Sequence, residues 1–125
     1  MTIAYFCIII AMFIPLFCAG YTKFSSKGKY DNRSPRDFAS GLEGKAKRAY
    51  SAQMNAYEAF APFAAAVIAA HQMHAAQSTL DMLAMSFITA RIAYTFLYIQ
   101  DLHILRSVVW FAGFGITIAI FFIGA

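Results

Sequence analysis

Four long stretches of predominantly apolar residues divide the chain, and polar or helix-breaking residues separate them. A membrane-spanning helix needs about 20 such residues, and stretches of this length cover roughly 2–21, 45–71, 79–100 and 104–124. The segment 22–47 contains Ser, Gly, Asn and Pro, which favour a loop. The pattern therefore predicts an all-α fold, an integral membrane four-helix bundle, in which residues 1–125 form a single membrane domain.

The charged residues support a membrane location and indicate an orientation. Only 13% of the residues are charged, whereas soluble domains contain about 25%. Eight of the ten Lys and Arg residues lie between Lys23 and Arg48. Such a cluster beside apolar segments is typical of a cytoplasmic loop, so both termini are expected on the non-cytoplasmic side. The same placement gives no basic face for nucleic acid, and no nucleic-acid partner is expected.

Two of the predicted helices carry a narrow stripe of polar side chains. Positions in each stripe are spaced by 3, 4 and 3 residues, which places them on one face of a helix with about 3.6 residues per turn. In the second predicted helix the stripe is Arg48, Ser51, Asn55 and Glu58, and in the third it is Arg91, Tyr94, Tyr98 and Asp101.

Glu58 and Arg91 are expected at similar depths in the membrane. At about 1.5 Å per residue, each lies roughly 15 Å from the cytoplasmic end of its helix. Ionisable groups in a bilayer usually face a partner or a water-filled cavity, and we therefore hypothesise that the two form an ion pair. Two interpretations of the stripes stay open: they join helices, or they line a polar cavity that opens to the cytoplasm.

The cysteines and histidines do not form a metal-binding pattern. Cys7 and Cys18 lie about 16 Å apart along one helix, which is too far for a disulfide, and both are interpreted as packing or lipid-facing residues. His71 and His74 share a helix face, but no Cys, Asp or Glu accompanies them closely. They are interpreted as interfacial residues, and no metal is expected.

Beyond these patterns, the chain resembles the MAPEG superfamily, the membrane-associated proteins of eicosanoid and glutathione metabolism, and particularly its short bacterial members. The second helix resembles that of the family through Arg48-Ala49-x-x-Ala52-Gln53-x-Asn55-x-x-Glu58-x-x-x-Pro62-Phe63. The third helix and the start of the fourth resemble the family through Arg91-x-x-Tyr94-x-x-x-Tyr98 and Leu105-Arg106-Ser107.

This resemblance implies a homotrimer in a bacterial inner membrane, with glutathione as co-substrate bound between neighbouring subunits near the cytoplasmic side. It also implies a lipophilic small-molecule substrate that arrives through the membrane lipids. Arg106 is the counterpart of an arginine that activates the glutathione thiol, and Tyr98 would add a hydrogen bond to the thiolate. By position, the resemblance implies that Gln53, Asn55, Glu58, Tyr94 and Tyr98 contact glutathione. Arg48 and Arg91, from the two polar stripes, are predicted to bind it as well.

Two positions depart from the eicosanoid enzymes of this family. Ser51 stands where they carry an arginine, and Ala59 stands where they often carry an aromatic residue. Arg48 lies one turn from Ser51 on the same face and is a candidate substitute. The resemblance implies a glutathione-dependent transferase or peroxidase. The alternative is a non-catalytic, ligand-binding or interaction protein of the same fold, which Ser51 and Ala59 favour. A small transporter is a third hypothesis, because multidrug exporters of four short helices also contain a buried Glu. Those exporters, however, have shorter loops, and their Glu lies in the first helix.

Overall fold

The computed structural model describes residues 1–26 and 31–125, in which every regular element is a helix. Lys27 to Tyr30, part of the predicted loop and its basic cluster, lie outside the described residues. The five helices are α1 (Ile3–Ser25), α2 (Pro35–Ser40), α3 (Gly44–Gln72), α4 (Gln77–Ile99) and α5 (His103–Ile123).

The predicted boundary between the first helix and the loop is wrong by four residues, because α1 continues to Ser25. Thr22 was expected to begin the loop, and Ser25 is one of the serines expected to favour it. Instead their hydroxyls donate hydrogen bonds to the carbonyls of Cys18 and Tyr21, one turn earlier. Their polar groups are therefore satisfied inside the helix, which does not need to end there.

The segment predicted as loop also contains a short helix, α2. Pro35 occupies its first turn and Asp37 follows in the same turn. Proline suits a first helical position because the N–H it lacks would have no intrahelical partner there, and a carboxylate interacts favourably with the positive end of the helix. The sequence Ser34-Pro35-Arg36-Asp37 therefore contained the signal for this helix.

The four long helices form one bundle in which α3 and α4 each pack against all the others. Six alanines of α3 are buried, which lets neighbouring backbones approach closely. At the centre, the rings of Phe63 and Phe87 stack with centroids 3.9 Å apart. The alanine-rich α3 shares the central position with α4, and it still exposes Tyr57, Ala61 and Ala65.

Contacts at the two ends of the bundle show how the helices are arranged. At one end, Thr2 hydrogen-bonds to His71, and the backbone N–H of Ala4 donates to Asp81. Gly124 lies against Met73 at this same end, so both termini are together. At the other end, Arg48 bonds to Ile99. The side of the membrane that each end faces stays a prediction.

The surface of the bundle fits a hydrocarbon environment. Helices α1, α4 and α5 are each long and apolar enough to cross a membrane. Helix α3, with 29 residues, extends about 43 Å and carries one of the polar stripes. Large apolar side chains such as Phe13, Phe111 and Phe122 are more than half exposed, which in water would be an unusually large apolar surface. The protein is therefore an integral membrane four-helix bundle.

Candidate functional site

The polar stripes of α3 and α4 meet in a cavity of about 280 Å³. Ser51, Asn55 and Glu58 line it from α3, while Tyr94 and Tyr98 line it from α4. They are every member of the α3 stripe except Arg48 and the two central members of the α4 stripe, so both stripes turn toward a shared space. Two other members of the stripes lie outside this cavity. Arg48 does not line it, and Asp101 lies beyond the end of α4, in the turn before α5.

A second cavity, of about 220 Å³, adjoins the first and adds α5 to the site. Arg106, Ser107 and Trp110 line it together with Asn55, Tyr94 and Tyr98. The guanidinium carbon of Arg106 lies 4.3 Å from the centre of the Tyr98 ring. The Tyr98 ring in turn meets that of Tyr94 edge to face, at 5.7 Å between centroids. The aromatic face thus helps to hold a positive charge at a polar cavity, and that charge attracts anions.

A third cavity, of about 140 Å³, lies further along the bundle, toward the end that holds the termini. It is mostly apolar and includes Phe87, Trp110, Phe114 and Thr117 in its walls. Arg91 also lines it, although only 4% of that residue is exposed. The Arg91 guanidinium carbon lies 4.2 Å from the centre of the Tyr94 ring, so the tyrosine separates this cation from the Tyr98 side of the site.

Asn55 is the residue that the three cavities share. Its amide nitrogen donates a hydrogen bond to the Glu58 carboxylate at 3.4 Å, while its Oδ1 is buried without a hydrogen-bond partner. The Nη2 of Arg91 is likewise buried and unpartnered. A free acceptor and a free donor therefore lie at one site, and buried polar groups in this state are costly unless a ligand or water satisfies them.

The predicted ion pair between Glu58 and Arg91 does not form. Within residues 1–26 and 31–125 no salt bridge or hydrogen bond joins them, although both line the 140 Å³ cavity. Glu58 is exposed and bonds to Asn55, whereas Arg91 is buried against Tyr94. Both side chains reach one cavity, but the Arg91 guanidinium packs on the Tyr94 ring and makes no hydrogen bond to the Glu58 carboxylate.

Two of the predicted glutathione-binding residues lie away from this group. Arg48 Nε donates a hydrogen bond to the Ile99 carbonyl at 2.9 Å, at the end of α4. Gln53 lines a different cavity, of about 230 Å³, between α1, α2 and α3. It lies two residues before Asn55, and successive positions on a helix are about 100° apart, so it faces another direction.

Trp110 and Thr117, both in the walls of the apolar cavity, were missed in the sequence. Together with Arg106 and Gly113 they are spaced by 4, 3 and 4 residues, which is one face of α5. The same search for residues at intervals of three and four, applied to α5 from Arg106 onward, would therefore have found this face. The face was missed because tryptophan, glycine and threonine do not stand out from an apolar membrane helix.

No three His, Cys, Asp or Glu side chains come together as a metal site in the described part of the chain. His71 instead stacks on the Tyr5 ring at 3.9 Å and hydrogen-bonds to Thr2. Cys7 and Cys18 are both buried, free thiols. The histidine joins α1 to the end of α3, and the cysteines belong to the packing of α1.

Fold and cavities together define the protein as an integral membrane helical bundle with a polar, cation-bearing site at one end. The chain belongs to the MAPEG family, whose model matches residues 1–125. Members of this family are membrane proteins that are typically trimeric and generally use glutathione as a substrate. No curated protein and no solved structure gives a significant match to the chain.

Proposed function

We propose that the protein is a glutathione-dependent transferase or peroxidase that acts on lipophilic electrophiles delivered by the membrane. The observation that carries this proposal is the position of Arg106, held over the Tyr98 ring at a cavity with polar walls. A fixed guanidinium beside a thiol favours the thiolate, which is the nucleophilic form. Arginine suits this role because it keeps its charge in a site of low polarity.

The residues of the two polar cavities fit glutathione. Its amides and carboxylates need donors and acceptors, and Asn55 Oδ1 is a buried acceptor without a partner. Asn55 would accept from a peptide N–H, Glu58 would attract the ammonium group, and the hydroxyls of Tyr94 and Tyr98 would add hydrogen bonds. Arg91 borders the apolar cavity instead, so we assign the direct contact with glutathione to Tyr94, which lines both polar cavities.

Arg106 has a defined energetic task in this proposal. Bound glutathione supplies a thiol that reacts in one of two ways. Its thiolate attacks an electrophilic carbon and forms a sulfur–carbon bond while an epoxide C–O bond or an activated double bond opens, and the atom that receives the electron pair takes up the thiol proton. Alternatively, two glutathione molecules reduce a hydroperoxide to an alcohol and water and are oxidised to the disulfide. Favouring the thiolate a hundredfold requires about 2.7 kcal/mol. One positive charge near the sulfur can supply this much where water is excluded.

The homotrimer with glutathione between subunits is part of the proposal. Gln53 faces away from Asn55 in the same subunit, and a neighbouring subunit would allow both to contact one ligand. Helix α3 exposes Ala61, Pro62 and Ala65 on its outer face, and small residues favour close packing between membrane helices. Membership of a typically trimeric family supports the same arrangement.

We further propose a bacterial inner membrane as the location, with the basic segment and the site on the cytoplasmic side. The support is the placement of Lys and Arg, since eight of the ten lie at 23–48. Glutathione is a cytoplasmic thiol in this proposal, so the cavity that contains Arg106 must open at the end of the bundle where α2 lies.

A non-catalytic family member is the second candidate function, and one observation favours it. Ser51 supplies a hydroxyl to the 280 Å³ cavity, while the nearby cation Arg48 is engaged with the Ile99 carbonyl. The glutathione carboxylates would then lack a cationic partner beside Ser51 within the same subunit. A protein that binds a lipid or glutathione weakly, without chemistry, would have such a site.

Glutathione binding to the purified protein in detergent tests the proposal, measured by calorimetry and by thiolate absorbance near neutral pH. We expect saturable binding that weakens about tenfold or more in Asn55→Ala, because a buried hydrogen bond is lost. Arg106→Ala should lose the thiolate signal, and Lys47→Ala, an exposed cation on α3, should change neither. Absence of binding at millimolar glutathione would retire the proposal and favour the non-catalytic alternative.

A further inference from the structure

The turn between α4 and α5 consists of Gln100, Asp101 and Leu102. Asp101 is exposed and has a φ of 62°, in the left-handed region of the backbone. Residues with a Cβ are disfavoured there, aspartate and asparagine least and β-branched residues most. Such a conformation persists only where the surrounding structure requires it, which indicates that the connection between the two helices depends on it.

The hydrogen bonds of this turn show what the left-handed residue does. The N–H of Asp101 donates to the Tyr98 carbonyl at 3.1 Å, and the N–H of Leu102 donates to the Leu97 carbonyl at 3.0 Å. These are the two bonds of the Schellman motif, which closes a helix around one left-handed residue. The turn therefore bonds to carbonyls in the last turn of α4, and one of them belongs to Tyr98, a residue of the candidate site.

The same turn determines where Arg106 lies. The Leu102 carbonyl accepts a hydrogen bond from the Arg106 N–H at 2.9 Å, so the first turn of α5 is built directly on it. The Arg106 guanidinium carbon then lies 4.3 Å from the centre of the Tyr98 ring. Arg48 of α3 bonds to the Ile99 carbonyl at the same turn. Because the direction of α5 depends on one φ angle, a change in that angle would move the Arg106 charge away from the ring.

We propose that Asp101 is a positioning residue for Arg106: its left-handed backbone directs the start of α5 so that the Arg106 charge lies over Tyr98, at the cavity of about 220 Å³. Asp101 does not line that cavity, so it acts through the backbone. The consequence for a glutathione thiolate rests on the proposed function, whereas the placement of the charge can be measured without glutathione.

A turn of the same kind at the other end of the bundle provides a matched control. His74 has a φ of 57°. Its N–H donates to the His71 carbonyl, and the N–H of Ala75 donates to the Ala70 carbonyl. This is again the Schellman motif, but it connects α3 to α4 at the end that holds the termini. A substitution at His74 therefore reproduces the backbone strain far from Arg106.

Trp110 is the sole tryptophan of the chain and lines the same cavity as Arg106, so its fluorescence reports on that charge. The test compares quenching by iodide, an anion, with quenching by acrylamide, a neutral molecule, in nonionic detergent at constant ionic strength. The ratio of the two quenching constants removes differences in accessibility and leaves the attraction of the anion. We expect Arg106→Ala to lower this ratio roughly threefold, as for the loss of a unit charge several ångströms away in water.

Substitutions at Asp101 separate conformation from charge. Asp101→Val strongly disfavours the left-handed region and should lower the ratio toward that of Arg106→Ala. Asp101→Gly and Asp101→Asn accept that region and should keep the native ratio, although asparagine removes the carboxylate charge. His74→Val should lower the unfolding temperature about as much as Asp101→Val and leave the ratio unchanged. If Asp101→Val does not fold, Asp101→Ala imposes a milder strain and takes its place.

A native ratio in the folded Asp101→Val or Asp101→Ala protein would overturn the proposal, as would an equal decrease in His74→Val. A decrease in Asp101→Asn as large as that in Asp101→Val would also overturn it, because the carboxylate rather than the backbone would then be responsible. An unchanged ratio in Arg106→Ala would show that this charge does not act at the cavity, with the same consequence.

The outcome separates from that of the glutathione experiment. A lower iodide ratio in Asp101→Val, in a protein that does not bind glutathione, would leave the positioning role and remove the proposed enzyme. If glutathione binds, its thiolate absorbance should appear at higher pH in Asp101→Val than in the native protein, and at the native pH in His74→Val. Glutathione binding with the same thiolate titration in Asp101→Val and the native protein would leave the enzyme and remove this inference.

Discussion

Arg48 Nε donates a hydrogen bond to the carbonyl oxygen of Ile99 at 2.9 Å and thereby joins the start of α3 to the last residue of α4. The final carbonyls of a helix have no intrahelical partner, and a cation there also opposes the negative end of the helix dipole. Arg48, one of the residues predicted to bind glutathione, therefore holds two helices together.

Replacement of Arg48 by alanine should reduce stability and spare ligand binding. We expect the free energy of unfolding in detergent to fall by about 1.5 kcal/mol, the value of a hydrogen bond from a charged group. Lys47→Ala, its exposed neighbour, is the control and should change stability by less than about 0.5 kcal/mol. Glutathione affinity that drops sharply while stability is unchanged would contradict the structural role.

Tyr98 should contribute through both its ring and its hydroxyl, and two variants separate them. Tyr98→Phe keeps the ring 4.3 Å from Arg106, so glutathione affinity should stay within about threefold while the thiolate signal decreases. Tyr98→Leu removes the aromatic face, worth about 0.5–2 kcal/mol to the cation, and should lower both quantities. Calorimetry and thiolate absorbance on the two variants distinguish these outcomes, and identical results would contradict separate roles.

Asp81 of α4 caps the first turn of α1 from another helix. Its Oδ1 accepts hydrogen bonds from the Ala4 backbone N–H at 2.9 Å and from Gln77 at 2.7 Å. Asp81→Ala should lower the free energy of unfolding by about 1–2 kcal/mol, as for loss of a helix cap. Thermal unfolding in detergent measures this, with Lys47→Ala on the exposed surface of α3 as the control. Equal losses in the two variants would argue against the cap.

The stacked pair Phe63 and Phe87 should stabilise the bundle by packing alone. Both are almost fully buried, but lipid is as apolar as the protein interior, so transfer from lipid adds little driving force. The cavity left by Phe63→Ala should cost roughly 2 kcal/mol, less than the 3–5 kcal/mol typical of such changes in soluble cores. Phe13→Ala, at a lipid-exposed position, should have little effect in the same unfolding assay. Equal losses of unfolding free energy in Phe63→Ala and Phe13→Ala would indicate that lipid contacts stabilise the bundle as much as internal packing does.

Much of the candidate site followed from helical spacing, because residues at intervals of three and four share a face. Ser51, Asn55 and Glu58 do meet Tyr94 and Tyr98 at one cavity. The predicted ion pair between Glu58 and Arg91 was wrong. Counting residues along two helices gives the height of each side chain in the bundle, but it does not give the direction in which the side chain points. The apolar cavity could not be foreseen, because it depends on how Trp110 and Phe114 of α5 pack against α3.

The sequence by itself determined the four long helices, the membrane location and the family, because each depends on local patterns: apolar length, sparse charge and motif spacing. The tertiary structure decided which polar groups find partners. Arg48 bonds across 51 positions to Ile99, and Asp81 caps a helix 77 positions earlier. Such pairings depend on the rotation and register of packed helices, which are set by side-chain fit across the whole bundle and are absent from any single segment.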